Sequence, residues 1–247
     1  MIDKVHSIEE GVAKLLKTRL FEIPEYTLLR RTAEEYTDTL VWDGKKIPLY
    51  ETRYDCRLNN MADYGKEADK NSALNVYSYT GSDVTLDQLI YRELEIAEYL
   101  LHSKIEKITA FVNGNAANLI ALMENGTCAN IDVGTTMAPG SENQCQHRLI
   151  TTHGMTNDRA VGTMTVANQV SVFGCDSKAP VVFDDDEYYL YGLDDDEVSK
   201  ALTIYFILTG AEDYSDWNER DARYRAAIKA VYASSEQLRP VFIKEVL

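Results

Sequence analysis

Leu119-Ile120-Ala121-Leu122-Met123-Glu124-Asn125-Gly126-Thr127-Cys128-Ala129-Asn130-Ile131-Asp132-Val133 decides the fold class. Two apolar-rich runs flank Glu124-Asn125-Gly126. Asn-Gly suits a tight hairpin turn, because such turns need positive φ at their centre. The reading is an antiparallel pair, 119–123 against 127–133. Apolar groups occupy both alternations, so each face of this ribbon meets something apolar.

Working outward, short strands are expected at 107–112, 148–152, 161–172, 180–183 and 188–191, with a last one at 240–246. Residues 75–80 read as a short strand or loop. Upstream, Asp43-Gly44 turns 37–42 back onto 47–58 in a second hairpin, and the polar run 59–70 reads as a loop. The clearest helix is 84–101, where Leu86, Leu89, Ile90, Leu94, Ala97, Leu100 and Leu101 form one stripe and Arg92, Glu93, Glu95 and Glu98 lie mostly away from it. Ser7 and Glu10 read as a capping box opening a helix at 8–20. Further helices are expected at 197–209 and 218–235. The pattern is α+β: a mostly antiparallel open β-sheet with helices packed on one face. Residues 1–70 form an N-terminal helix-and-hairpin appendage and 71–247 the main domain.

Composition narrows the function. The 247 residues carry a net charge of −15. Such a chain repels phosphate backbones, so nucleic acid is not an expected partner. The first residues, MIDKVHSIEEGVAKLL, hold no apolar leader, and no run of about 18 apolar residues exists. A cytoplasmic chain that makes no use of a membrane is expected. The four cysteines are widely spaced, with no C-x-x-C, and read as reduced thiols. The closest glycines are Gly134 and Gly140, so neither the G-x-G-x-x-G dinucleotide loop nor the Walker loop is present in these residues.

Three segments carry a resemblance. The first runs from Gly81 through Asp87, Tyr91, Arg92, Glu93 and Leu94 to Leu100. The second is Ala121 to Ala129, followed by His147-Arg148-Leu149-Ile150-Thr151-Thr152-His153-Gly154. The third is the tail, Phe206 to Gly210, then Ala230-Val231-Tyr232-Ala233-Ser234-Ser235, ending at Arg239-Pro240-Val241. In order and spacing they resemble the C-terminal domain of Gfo/Idh/MocA-type oxidoreductases. That resemblance implies a domain that shapes a sugar pocket and offers an open sheet face for oligomerisation. The family's preceding Rossmann domain and its E-K-P lysine have no counterpart in these residues. The place of the family's proton-transfer histidine falls on Tyr91 or Arg92.

Within this frame Asp87, Tyr91 and Glu95, spaced by four, share one helix face, with Arg92 beside them. Carboxylates suit sugar hydroxyls, and Arg suits a substrate carboxylate. Tyr91, Asp87, Glu95 and His153 are the acid–base candidates, and Arg92, Arg53 and Arg57 the substrate-binding ones. The same helix spacing also fits a solvated face whose charges pair locally. Arg53, Asp55 and Arg57 would project from one side of the 47–58 strand, to a ligand or to a salt-bridge ladder. His147 and His153 would lie too far apart along one strand to share a metal. The acidic runs 184–187 and 194–197 lack calcium-loop spacing. No cofactor and no metal are expected.

The expectation is therefore an oxidoreductase-like chain without the nucleotide-binding part: a sugar-binding, assembly or pseudo-enzyme subunit, forming a homo-oligomer through the open sheet face. The alternatives are a cofactor-free sugar or keto-sugar lyase or epimerase, and the substrate-domain subunit of a split NAD(P)-dependent dehydrogenase completed by a separate Rossmann-bearing chain.

Overall fold

A computed structural model describes residues 4–19, 21–81, 84–141, 143–158, 169–174, 181–184 and 190–247. In chain order the elements are α1 (Ile8–Thr18), β1 (Thr27–Leu29), β2 (Thr39–Trp42), β3 (Lys45–Pro48), a 3-10 turn (Glu51–Tyr54), α2 (Cys56–Gly65), β4 (Ala73–Tyr79) and α3 (Leu86–Leu101). Then follow β5 (Ile105–Asn113), β6 (Ala116–Met123), β7 (Cys128–Gly134), β8 (Gln144–Thr151), β9 (Gly154–Asn157), β10 (Gln169–Gly174) and β11 (Val181–Asp184). The last elements are α4 (Asp195–Leu208), α5 (Trp217–Gln237), β12 (Val241–Phe242) and a closing 3-10 turn (Ile243–Glu245). They fall into two compact units, 1–59 with 185–221, and 60–184 with 222–247.

In the first unit Ser7 caps α1, accepting from the Glu10 amide, and α1 packs on α4. The Asp43-Gly44 turn joins β2 to β3, with both residues at positive φ as the Asn-Gly and Asp-Gly type of turn requires. The strand expected over 47–58 stops at Pro48, since proline cannot donate to a ladder. The chain then makes the 3-10 turn and α2, which replaces most of the loop expected over 59–70. Asp55 opens α2 by accepting from the amides of Arg57 and Leu58 at 2.8 and 3.1 Å. Tyr50 and Trp217 meet edge to face at 5.0 Å, and the Tyr50 hydroxyl donates to the Trp217 carbonyl. Residues 190 and 191 lie in a turn rather than a strand, and the rest of the 188–191 strand falls outside the described residues.

The second unit is built on a nine-stranded sheet, ordered β11-β10-β9-β8-β4-β7-β6-β5-β12. Every pair is antiparallel except β4–β7, so the expected mostly antiparallel sheet is observed. The Glu124-Asn125-Gly126 turn joins β6 and β7 as read, with Gly126 at φ 86°. β4, read as a short strand or loop, lies inside the sheet between β7 and β8. Its alternate residues Leu74, Val76 and Ser78 are buried. Of the strand expected at 161–172, residues 161–168 lie outside the described residues.

α3 fills one sheet face, against β4, β6 and β7. Leu119, Ala121, Met123, Ala129, Ile131 and Val133 point to it and are fully buried. The Thr85 capping box starts α3, and His102 in the left-handed conformation ends it. α5 runs beside α3, with Tyr224 edge-on to Tyr91 at 5.4 Å. It also closes a sheet edge: the Ser234 and Ser235 hydroxyls accept from the Ala110 and Val112 amides of β5, beyond the short β12. The 240–246 strand shortens to β12 and a 3-10 turn.

Among the described residues, the other face of the sheet carries exposed apolar side chains. The cross-strand register puts Phe111, Ile120, Asp132, Tyr77, Gln146, Arg148 and Ile150 on that side. Among them Phe111 is 60% exposed, Tyr77 50%, Ile120 47% and Ile150 40%.

Candidate functional site

The polar centre of the second unit is His147. β8 turns alternate residues Cys145, His147 and Leu149 toward the covered face, opposite Ser78, Val76 and Leu74 of β4. From α3, Glu93 reaches the same spot and places Oε2 2.8 Å from His147 Nε2. Asp158, just past β9, places Oδ2 2.5 Å from His147 Nδ1, and its other carboxylate oxygen accepts from the His147 amide. The Cys145 sulfur lies 3.9 Å from both ring nitrogens. His147 and Glu93 are fully buried; Cys145 is half-buried.

Burial alone would depress the His147 pKa, since it penalises the charged ring. The charges on Cys145, Asp158 and Glu93 outweigh it and hold the imidazole well above 6.5. Burial alone would raise Glu93; the His147 charge and hydrogen bond outweigh it and hold the carboxyl below 4.5. The centre is thus a buried imidazole held at both ring nitrogens by carboxylates. Among the described residues Glu93 Oε1 is buried with no hydrogen-bond partner.

The residues singled out from the sequence sit elsewhere. Asp87 accepts from the Tyr232 hydroxyl of α5 at 2.5 Å, and Tyr91 is buried at 2% against Tyr224. The Asp87–Tyr91 face of α3 is thus covered by α5. Glu95 is also buried, and Arg92 is half-buried, with its charge felt at Glu93. His153 is exposed in the turn between β8 and β9, its amide donating to Thr151 Oγ1. Arg53 lies in the 3-10 turn and Arg57 in α2, paired with Asp55 at 2.7 Å; neither projects from a strand.

Two corrections follow for α3. Glu93, Glu95 and Glu98 are not on a solvated face; all three are buried. Glu98 accepts from Arg223, Tyr224 and the Ile105 amide. A signal for Glu93 was present: it follows Ile90 by three and precedes Ala97 by four, which places it on the apolar stripe. His147 was considered with His153, on its own strand, whereas its partners come from α3 and from beyond β9.

No protein-family model and no curated protein matches the sequence. Solved structures do. An oxidoreductase from Agrobacterium radiobacter, determined with NAD+, L-tartaric acid and magnesium, matches 98% of this chain and 72% of its own, at 14% identity and TM-score 0.62. An NAD-binding oxidoreductase from Klebsiella pneumoniae matches 79% of this chain and 65% of its own, at 13% identity and TM-score 0.63. A levoglucosan dehydrogenase, determined with NADH and levoglucosan, matches 78% of this chain and 65% of its own, at 10% identity and TM-score 0.60. Against the last two the chain spans slightly under two thirds of their length. These are Gfo/Idh/MocA-type oxidoreductases, and the fold resemblance read from the sequence, to their C-terminal domain, is borne out.

Proposed function

We propose that the chain is an assembly module built on an oxidoreductase-type substrate domain, working through its open sheet face and not by hydride transfer of its own. The observation that carries this reading is the composition of that face. Besides Phe111, Tyr77, Ile120 and Ile150, the register assigns to it Asn118, Asn130, Asn75, Gln146 and Asn157, and, as the charged residues it pairs there, Lys107, Asp132 and Arg148. Asp132 is held by the Tyr79 hydroxyl and Asn130 by Asn75. In a chain of net charge −15 this face is nearly neutral. Exposed apolar groups with few charges mark the core of an interface.

The occupant is a second copy, face to face about a two-fold axis, which matches such a surface to itself. One further fact supports a role without chemistry of this domain's own. The place of the resembled family's proton-transfer histidine falls on Tyr91 or Arg92, of which Tyr91 is buried and Arg92 half-buried, and neither is a histidine. Any sugar-like ligand, or a separate nucleotide-binding chain, would be additional to this role.

Light scattering at micromolar concentration tests the assembly. A mass near twice 27.9 kDa is expected, falling to the monomer in Ile120→Asp with the melting temperature of the isolated fold kept. A wild-type monomer would overturn it. Calorimetry with NAD(H) and NADP(H) tests the rest, and sub-millimolar binding would overturn the non-redox reading.

A further inference from the structure

We propose that Glu93, Cys145 and His147 form a binding site for one thiophilic divalent cation of the zinc type, with Asp158 holding the histidine ring from behind. The ligand atoms of these three residues lie within 4.8 Å of one another. They come from two elements of the second unit, α3 and β8, both anchored by the sheet.

The donor set selects the ion. A thiolate, an imidazole and one carboxylate suit zinc or cobalt, whereas magnesium and calcium need shells of oxygen. Asp158 supplies what a metal-bound histidine ordinarily has: a carboxylate on the far ring nitrogen, which fixes the tautomer and leaves Nε2 free to coordinate. Glu93 Oε1 is buried and, among the described residues, has no hydrogen-bond partner. A buried carboxylate oxygen left in this state is costly.

The geometry is close to what an ion requires. Tetrahedral zinc, with bonds of about 2.0–2.3 Å, separates nitrogen from oxygen by about 3.3 Å and nitrogen from sulfur by about 3.5 Å. Here Nε2 lies 2.8 Å from Glu93 Oε2 and 3.9 Å from Cys145 Sγ. The carboxylate moves out by about half an ångström, and the Cys145 side chain, now 3.9 Å from both ring nitrogens and so beside the ring, turns toward the Nε2 side. Cys145 is half-buried and gives the site its side toward solvent.

The test uses the full chain, kept reduced, and Co2+ alone. One equivalent is expected to bind saturably, with a thiolate-to-cobalt charge-transfer band that Zn2+ abolishes by displacement. Cys145→Ser should lose the band while keeping the wild-type far-ultraviolet circular dichroism. Asp158→Asn should weaken binding by about 10- to 100-fold. Absence of the band in the wild type would overturn the proposal, as would its survival in Cys145→Ser, which would assign it to one of the other three cysteines.

Discussion

Arg223 Nη2 lies 2.5 Å from Glu98 Oε2, with the glutamate side chain 5% and the arginine side chain 12% exposed. The Tyr224 hydroxyl shares that oxygen, and Glu98 Oε1 takes the Ile105 amide. One carboxylate therefore joins α3, α5 and the start of β5. Removing it strands a nearly buried guanidinium. Glu98→Ala should cost about 3 kcal/mol, toward the low end for a buried pair because Arg223 keeps some solvent contact. Urea unfolding measures it, and a loss under about 0.5 kcal/mol, the surface value, would refute it. The charge-based reading of Glu98 as a surface residue gives the opposite expectation. Leu94→Asp, at a fully buried position, should unfold the chain on either reading.

The Glu93–His147–Asp158 centre predicts a two-sided pH profile in the chelated, metal-free chain. His147 is held above 6.5 in the fold. Its contribution is complete below 6.5 and is lost as pH rises toward the folded value. Glu93 is held below 4.5, so its contribution is complete above 4.5 and is lost as pH falls toward its folded value. The urea midpoint should peak between these limits and decline on both sides. His147→Gln should remove the decline on the alkaline side; an unchanged alkaline limb would place its origin elsewhere.

Ser234 accepts from the buried Ala110 amide and donates to the Arg239 carbonyl. Ser234→Ala leaves that amide unpaired inside the protein, a cost of about 1–3 kcal/mol. The Ala110 amide should exchange faster with deuterium than its neighbours do. Ser235→Ala, acting at the half-buried Val112, should cost less.

Gly65 ends α2 against the backbone of α3. A Cβ there would sit 1.7 Å from the Leu100 carbonyl oxygen. The contact is with backbone, so a rotamer change cannot relieve it. Gly65→Ala should cost about 3 kcal/mol, whereas Gly114→Ala, at an open turn with φ 58°, meets no atom within 4 Å and pays only for its backbone angle. Comparable melting temperatures for the two variants would contradict this.

What the sequence made legible was local. The Glu124-Asn125-Gly126 and Asp43-Gly44 turns, the stripe of α3 and the cap at Ser7 all rest on residues within a few positions of one another. α2 was legible but overlooked: Leu58, Met61, Ala62 and Gly65 are buried at helical spacing, under a polar composition that suggests a loop. The place of β4 was not legible. Its two-residue alternation gives a strand but does not name its neighbours. The candidate centre was half legible. Cys145 and His147 share a strand face by spacing alone, but Glu93 lies 54 residues from His147, and its charge masked its place on the stripe.

The parallel pairing of β4 has a consequence for how the protein is made. Asn75 meets its β7 partner Asn130 only 55 residues later in the chain. At about 5–20 residues per second, β4 leaves the ribosome roughly 3 to 11 seconds before that neighbour exists, and the β8 neighbour comes later still. For that interval Leu74 and Val76, both buried in the finished sheet, are carried on a nascent strand with two bare edges. Ribosome-associated chaperones that mask short apolar strands should matter more for the yield of this chain than its finished stability would suggest.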